Sequence, residues 1–206
     1  MKKVGIFSGT FDPVHEGHLT FAREAMTQCE LDKVFFLVEP RPRRKQGVKA
    51  FEHRNAMVRI AIRHDAVLGS IVLEQQRFTA AETLPVLKQR FRGAELHMLM
   101  GDDWLSHFAD WPHVEDLVRD VWFVVGLRRY DRQEVEHRLG TIQRTRGLAM
   151  RYQLFRPSHT EFSSQAIRRS LRQGDHPAGL PPGVPEYIAQ HGLYTPSSGS
   201  SPVISS

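Results

Sequence analysis

The sequence predicts an α/β fold: a doubly wound parallel sheet with helices on both faces, in a single domain. Short β-rich runs alternate with amphipathic stretches through most of the chain, which is what strands joined by helical crossovers produce. The strand candidates are almost continuously apolar, as strands buried on both faces are. With 206 residues, 40% of them hydrophobic and 25% charged, the chain is long enough for one well-buried core and short for two.

In chain order the expected strands are Lys3 to Phe7, Lys33 to Val38, Ile71 to Glu74, Leu96 to Met100, Val121 to Gly126 and Tyr152 to Phe155. Each is a short run of β-branched, aromatic or leucine residues. The expected helices are Leu19 to Gln28, Glu52 to His64, Ala81 to Arg92, Val114 to Arg119, Arg132 to Arg146, Ser164 to Arg172 and Val184 to His191, chosen by apolar residues at helical spacing. Asp175 to Pro185, rich in proline and glycine, reads as a connector between the last two helices. Residues 1–194 form the expected domain, and the serine-dominated 195–206 segment is expected to be a loose tail.

The net charge of +5 and a pI near 9.7 point to anionic partners without choosing among nucleotides, nucleic acid and acidic membrane. Cys29 is the single cysteine, which excludes an internal disulfide and a cysteine-based metal cage and suits a reducing compartment. Met1-Lys2-Lys3 leads straight into the first strand without a signal-peptide pattern. The longest apolar run, Val121 to Leu127, is far short of the ~20 residues a membrane helix needs. A cytoplasmic protein is expected.

The segment Gly9-Thr10-Phe11-Asp12-Pro13-Val14-His15-Glu16-Gly17-His18 lies where the first strand gives way to the first helix. Free backbone N–H groups at a helix start make such a junction an anion site. Asp12-Pro13 is a turn-forming pair, and Gly9 and Gly17 remove side chains where a phosphate would approach the backbone. His15 and His18, three positions apart, supply hydrogen-bond donors on one side of the turn. Two histidines so spaced also suit zinc, but no third cysteine or carboxylate at helical spacing accompanies them, so no protein metal site is expected.

A second helix start carries similar chemistry. Ser163 and Ser164 precede an amphipathic stretch, where serine is a favoured N-cap, and Arg168 one turn later presents a planar guanidinium to phosphate. Gly101-Asp102-Asp103 follows a strand, at the strand end where open α/β sheets bind ligands. Trp111 precedes Pro112 in a loop, where a large indole needs a packing partner. Arg41, Arg43, Arg44, Lys45 and Lys49 make a basic loop, which by itself fits a solvated face or a nucleic-acid patch as well as a nucleotide site.

With these residues in place, the chain resembles the nucleotidyltransferases with an H-x-G-H signature, and specifically the bacterial nicotinate-nucleotide adenylyltransferases. The likeness extends through Gly101-Asp102-Asp103, Trp111, Phe162-Ser163-Ser164-Gln165-Ala166-Ile167-Arg168, Val184-Pro185-Glu186-Tyr187-Ile188 and His191-Gly192-Leu193-Tyr194. It implies a Rossmann-like fold and transfer of AMP from ATP, with Mg²⁺, to nicotinate mononucleotide. It implies His15, His18 and Arg168 as catalytic residues, and Gly9, Thr10, Phe11, Lys45, Asp103, Ser163 and Ser164 as ATP-binding. Asp12, Thr79 and Trp111 are implied on the acceptor side. ATP and a mononucleotide are the expected partners, nucleic acid and membrane are not, and no oligomeric state follows.

The chain departs from the family pattern at three places. Gln165 stands where the phosphate element has threonine, and Ser8 where glycine is usual. Arg77 to Leu84 replaces the Ser-Tyr-Thr segment that helps hold the acceptor, so that Thr79 fills that role with a one-residue insertion and Ala80 without it. Other acceptors (nicotinamide mononucleotide, a phosphopantetheine, a small phosphate) and a non-catalytic nucleotide- or RNA-binding relative therefore stay open.

Overall fold

Parallel pairing organises the molecule: six strands align in the order β3-β2-β1-β4-β5-β6, every neighbouring pair parallel. The structure is a computed structural model and describes residues 1–42, 45–74, 78–108, 111–158 and 161–195. Its strands are β1 (Lys3–Gly9), β2 (Lys33–Val38), β3 (Leu68–Ile71), β4 (Glu95–Gly101), β5 (Val121–Gly126) and β6 (Arg151–Phe155). The helices are α1 (Glu16–Gln28), α2 (Phe51–Ile62), α3 (Ala80–Arg90), α4 (Val114–Asp120), α5 (Arg132–Arg146), α6 (Ser164–Arg172) and α7 (Val184–Gln190). A short 3-10 helix, Asp102–Ser106, follows β4.

The crossovers distribute the helices over both faces and give each face its own core. One core joins the sheet to Leu84 and Leu87 of α3, Leu117 of α4 and Val135 and Leu139 of α5. The other takes Leu19 and Phe21 from α1, Met57 from α2 and Ile188 from α7, with Leu171 of α6 packed against it. The chain reverses direction across the sheet between β1 and β4, and the carboxyl ends of strands beside such a reversal border a crevice where open α/β sheets bind ligands.

Two expectations need correction. The third strand is Leu68–Ile71 rather than Ile71 to Glu74. Asp65 Oδ1 accepts the Val67 and Leu68 N–H groups and fixes where the strand begins. Gly69 hides the strand from a propensity reading, yet the pairing needs it, because a Cβ there would stand 2.7 Å from the Phe35 ring. The first helix starts at Glu16, not Leu19, so His18 lies inside its first turn.

Among the described residues no helix is long and apolar enough to cross a membrane. Of the expected tail, 196–206 lies outside the described residues, as do Arg43, Arg44 and Arg77.

Candidate active site

The loop after β1 is held from beneath by a buried arginine. Arg54 of α2 is 1% exposed and gives its guanidinium to four main-chain carbonyls: Lys49 at 2.8 Å, Thr10 at 2.9 Å, Glu39 at 2.8 Å and Pro40 at 2.9 Å. The loops after β1 and β2 are thereby tied to one planar group. Burial pulls the Arg54 pKa down, and the neighbouring Asp12 carboxylate opposes that pull. The sequence signal for this residue is its place on α2 beside the buried positions Met57 and Val58, where an arginine is out of pattern.

Asp12, expected on the acceptor side, is the buried centre of this loop. It is 3% exposed, and its Oδ1 accepts from the Tyr194 hydroxyl and, at 3.4 Å, from the Lys49 N–H. Tyr194 is also buried, and burial followed by its bond to Asp12 raises its pKa. The end of the described chain is thus fastened under the loop. Phe11, expected to touch ATP, turns its ring inward, 5.4 Å from Phe7, 5.2 Å from Phe36 and 5.0 Å from the His18 ring. It supports His18 from below. Gly9 makes room for it, since a Cβ there would come within 2.9 Å of the Phe11 ring.

His15 is the N-cap of α1, and its backbone N–H donates to Nδ1 of His18 at 3.2 Å. The two rings stack at 3.6 Å between centroids. Gly17 permits this, because a Cβ at that position would lie 3.1 Å from His15 Nδ1. Burial, with the Arg128 charge second, lowers the His15 pKa to about 4. Burial also pushes His18 well below its usual value, helped by His15, Arg128 and Lys45. Both rings are neutral at pH 7. An Nδ1 that accepts a hydrogen bond leaves the proton of neutral His18 on Nε2, as a donor.

The start of α6 clasps the same loop. Ser164 Oγ donates to the Pro13 carbonyl at 2.9 Å, and Arg168 Nη1 donates to the Asp12 carbonyl at 2.6 Å. Ser163 caps the helix by accepting the Ala166 N–H at 3.1 Å. The two helix starts expected to hold phosphate are therefore joined, with one hydroxyl and one guanidinium N–H committed to the joint. The Arg168 side chain keeps 26% exposure.

A cavity of about 400 Å³ opens on the α3–α4 side, lined by Gly9, Thr10, Lys45, Thr79, His107 and Trp111 among others. Lys45 Nζ donates to Thr10 Oγ1 at 2.9 Å. Thr79 is the N-cap of α3, accepting the Glu82 N–H at 3.2 Å. Trp111 rests on Phe108 and Trp104, at 5.4 Å and 6.2 Å between rings.

A second cavity of about 310 Å³ lies at the ends of β4 and β5, lined by Asp102, Asp103, Arg128 and Arg129. Asp102 is fully buried, and its Oδ2 accepts the backbone N–H groups of Arg128, Arg129 and Tyr130 at 2.9, 2.8 and 2.9 Å. Asp102 therefore shapes the loop after β5 and leaves Asp103 to face the cavity. Among the described residues no group of three or more His, Cys, Asp or Glu side chains is placed to hold a metal ion. Arg128 is the site residue that the sequence reading does not name, while Asp102 and Tyr194 enter it only inside the segments that carry the resemblance, without a role of their own, and Arg54 is given none.

A cytidylyltransferase-like family model matches residues 6–170. The probable nicotinate-nucleotide adenylyltransferase of Neisseria meningitidis serogroup C is 36% identical over 204 residues, covering 94% of this chain and 99% of that protein. The corresponding probable enzyme of Desulfotalea psychrophila is 32% identical over 215 residues, 94% of this chain and all of that protein. The solved structure of Plasmodium falciparum nicotinic acid mononucleotide adenylyltransferase complexed with NaAD superposes with a TM-score of 0.76 at 18% identity, over 94% of this chain and 98% of that one. At that identity the likeness concerns the fold.

Proposed function

The chain belongs to the cytidylyltransferase-like family and within it to the nicotinate-nucleotide adenylyltransferases, and on that premise we propose how its residues transfer AMP from ATP to nicotinate mononucleotide. The products are the deamido dinucleotide and pyrophosphate. The observation that carries the proposal is the His15 N–H donating to His18 Nδ1 at 3.2 Å in the first turn of α1, which in a neutral imidazole leaves the proton on Nε2, free to donate.

An oxygen of the mononucleotide phosphate attacks the α-phosphorus of ATP. One P–O bond forms, the bond from the α-phosphorus to the α–β bridging oxygen breaks, and pyrophosphate leaves with that electron pair. The attacking oxygen is already anionic, so the protein's task is alignment and neutralisation of charge growing on the bridging oxygen. In this reading His15 and His18 donate to the α- and β-phosphates, the exposed edge of Arg168 and the α6 start hold the departing pyrophosphate, and Lys45 adds positive charge from the β2 side. Gly9 and Thr10 admit the phosphates close to the backbone. Asp103 accepts ribose hydroxyls of ATP, while Trp111 and Thr79 hold the acceptor ring in the larger cavity.

Mg²⁺ bound with ATP would supply charge neutralisation at the phosphates. The single cysteine, Cys29, is a buried free thiol, and that supports a reducing, cytoplasmic setting for the reaction.

The test is pyrophosphate release from ATP with nicotinate mononucleotide, nicotinamide mononucleotide and phosphopantetheine assayed side by side, with CTP as the alternative donor. The expected result is turnover with ATP and the nicotinate acceptor in clear excess. ATP binding without pyrophosphate release from any acceptor would overturn the proposal.

A further inference from the structure

Arg128 stands apart from the phosphate-binding elements already described, on the loop that follows β5. Its backbone is fixed, because the buried Asp102 carboxylate takes the N–H groups of residues 128, 129 and 130. Its side chain then crosses the end of β4. A Cβ on Gly101 would lie 3.2 Å from Arg128 Cδ and 3.8 Å from Nη1, and 2.8 Å from Asp103 Oδ1. The glycine is thus the floor over which a guanidinium and a carboxylate reach the same cavity. Arg128 is exposed, and among the described residues its guanidinium has neither a hydrogen bond nor an ion pair.

A rigidly anchored arginine with an unused fork, lining a cavity at the crevice of a doubly wound sheet, is built for an anion. Resting on the adenylyl-transfer reading, we infer that Arg128 contacts the triphosphate from the β5 side and is a catalytic residue of this site. Its charge reaches the other phosphate ligands already, since it lowers the pKa of both His15 and His18. With the triphosphate bound, that charge is matched by phosphate oxygens. The loop after β1 then supplies neutral donors, α6 supplies Arg168, and β5 supplies a second guanidinium from another direction. Asp103, across Gly101, is the counterpart that keeps the adenosine end of ATP at its own end of the cavity.

The experiment compares Arg128→Ala and Arg128→Lys with the unaltered protein by calorimetric titration of inorganic tripolyphosphate and by steady-state kinetics with ATP and nicotinate mononucleotide. Circular dichroism and thermal midpoints confirm folding, which an exposed side chain on a loop pinned through its backbone leaves intact. Tripolyphosphate affinity is expected to fall by about tenfold or more in Arg128→Ala. kcat/KM for ATP falls with it, KM for the mononucleotide moves little, and lysine restores part of the loss. A loss of tripolyphosphate affinity smaller than threefold in folded Arg128→Ala overturns the inference. Loss of tripolyphosphate binding in a chain whose unaltered form makes no dinucleotide would instead uphold the phosphate contact and sink the proposed reaction.

Discussion

The His15 backbone N–H donates to Nδ1 of His18 at 3.2 Å, so the main chain of one signature histidine sets the tautomer of the other. Replacing His18 by alanine removes the Nε2 donor, and loss of one transition-state donor costs about 3–4 kcal/mol, or two to three orders of magnitude in kcat. Glutamine places an amide N–H near the position of Nε2, whereas asparagine offers its N–H near Nδ1. His18→Gln is therefore expected to retain more turnover than His18→Asn or His18→Ala, all three folding normally. Equal turnover in the three variants would show that the Nε2 proton does not act on phosphate.

Arg54 is the support of the site, and its loss is expected to act on stability and ATP binding together. Arg54→Met leaves the carbonyls of Thr10, Glu39, Pro40 and Lys49 without their donor, and unsatisfied buried acceptors cost about 1–3 kcal/mol each. Even with partial relaxation the expected destabilisation exceeds about 3 kcal/mol. Arg54→Lys rescues little, because a point ammonium cannot span carbonyls laid out for a planar fork. Urea unfolding and KM for ATP on the same variants check this, and a fully stable Arg54→Lys protein would contradict it.

Gly17 sets two effects against each other. Alanine improves helix propensity by about 0.8–1 kcal/mol over glycine, yet its Cβ would stand 3.1 Å from His15 Nδ1 and 3.3 Å from the Phe162 Cβ. The neighbours must shift by a few tenths of an ångström, which absorbs much of that gain. The shift falls on the stacked imidazoles, so Gly17→Ala is expected to leave the thermal midpoint nearly unchanged and lower kcat at least tenfold. Unchanged kcat would mean the ring of His15 has room to move without cost.

These residues mark how far the sequence is legible. The signature loop stands out by its residue types and spacing, the Ser163–Arg168 helix start and Trp111 stand out only through the family resemblance, and the alternation of strands and helices follows from apolar runs. Arg54 and Asp102 do not, because they act through main-chain groups of distant segments, and only the fold brings those together. Asp12, implied on the acceptor side by the resemblance, has a partner that the sequence does not reveal for a related reason: it is Tyr194, almost the whole chain away. β3 is displaced because Gly69 and Ser70 carry no strand propensity and owe their place to pairing with β2.

Tyr194→Phe tests that long-range contact. It removes the hydroxyl that donates to the buried Asp12 carboxylate and leaves that oxygen only a weaker bond from the Lys49 N–H at 3.4 Å. A hydrogen bond to a charged group contributes about 1.5–3 kcal/mol, so urea unfolding at pH 7 is expected to show a loss of about 2 kcal/mol. kcat should fall less than in His18→Ala, because the loop loses an anchor but no phosphate donor. A variant as stable as the parent would assign the Asp12 carboxylate to another partner.

The depressed pKa of His15 also makes a stability prediction with a definite sign. The folded-state value is about 4, against about 6.5 for a free histidine, so the unfolded chain takes up a proton at this residue before the folded protein does. The stabilisation is fully present above pH 6.5, declines as the pH falls toward 4, and changes no further below that. A shift of this size corresponds to about 3 kcal/mol, and His18, shifted in the same direction, adds to the same acid limb. Asparagine at position 15 cannot titrate. The difference in unfolding free energy between the parent and His15→Asn is therefore expected to shrink by about 3 kcal/mol between pH 7 and pH 4, whatever the carboxylates common to both proteins contribute. Parallel stability curves over that range would show that the His15 ring stays accessible to protons in the folded protein, and would remove the neutral pair on which the proposed phosphate chemistry rests.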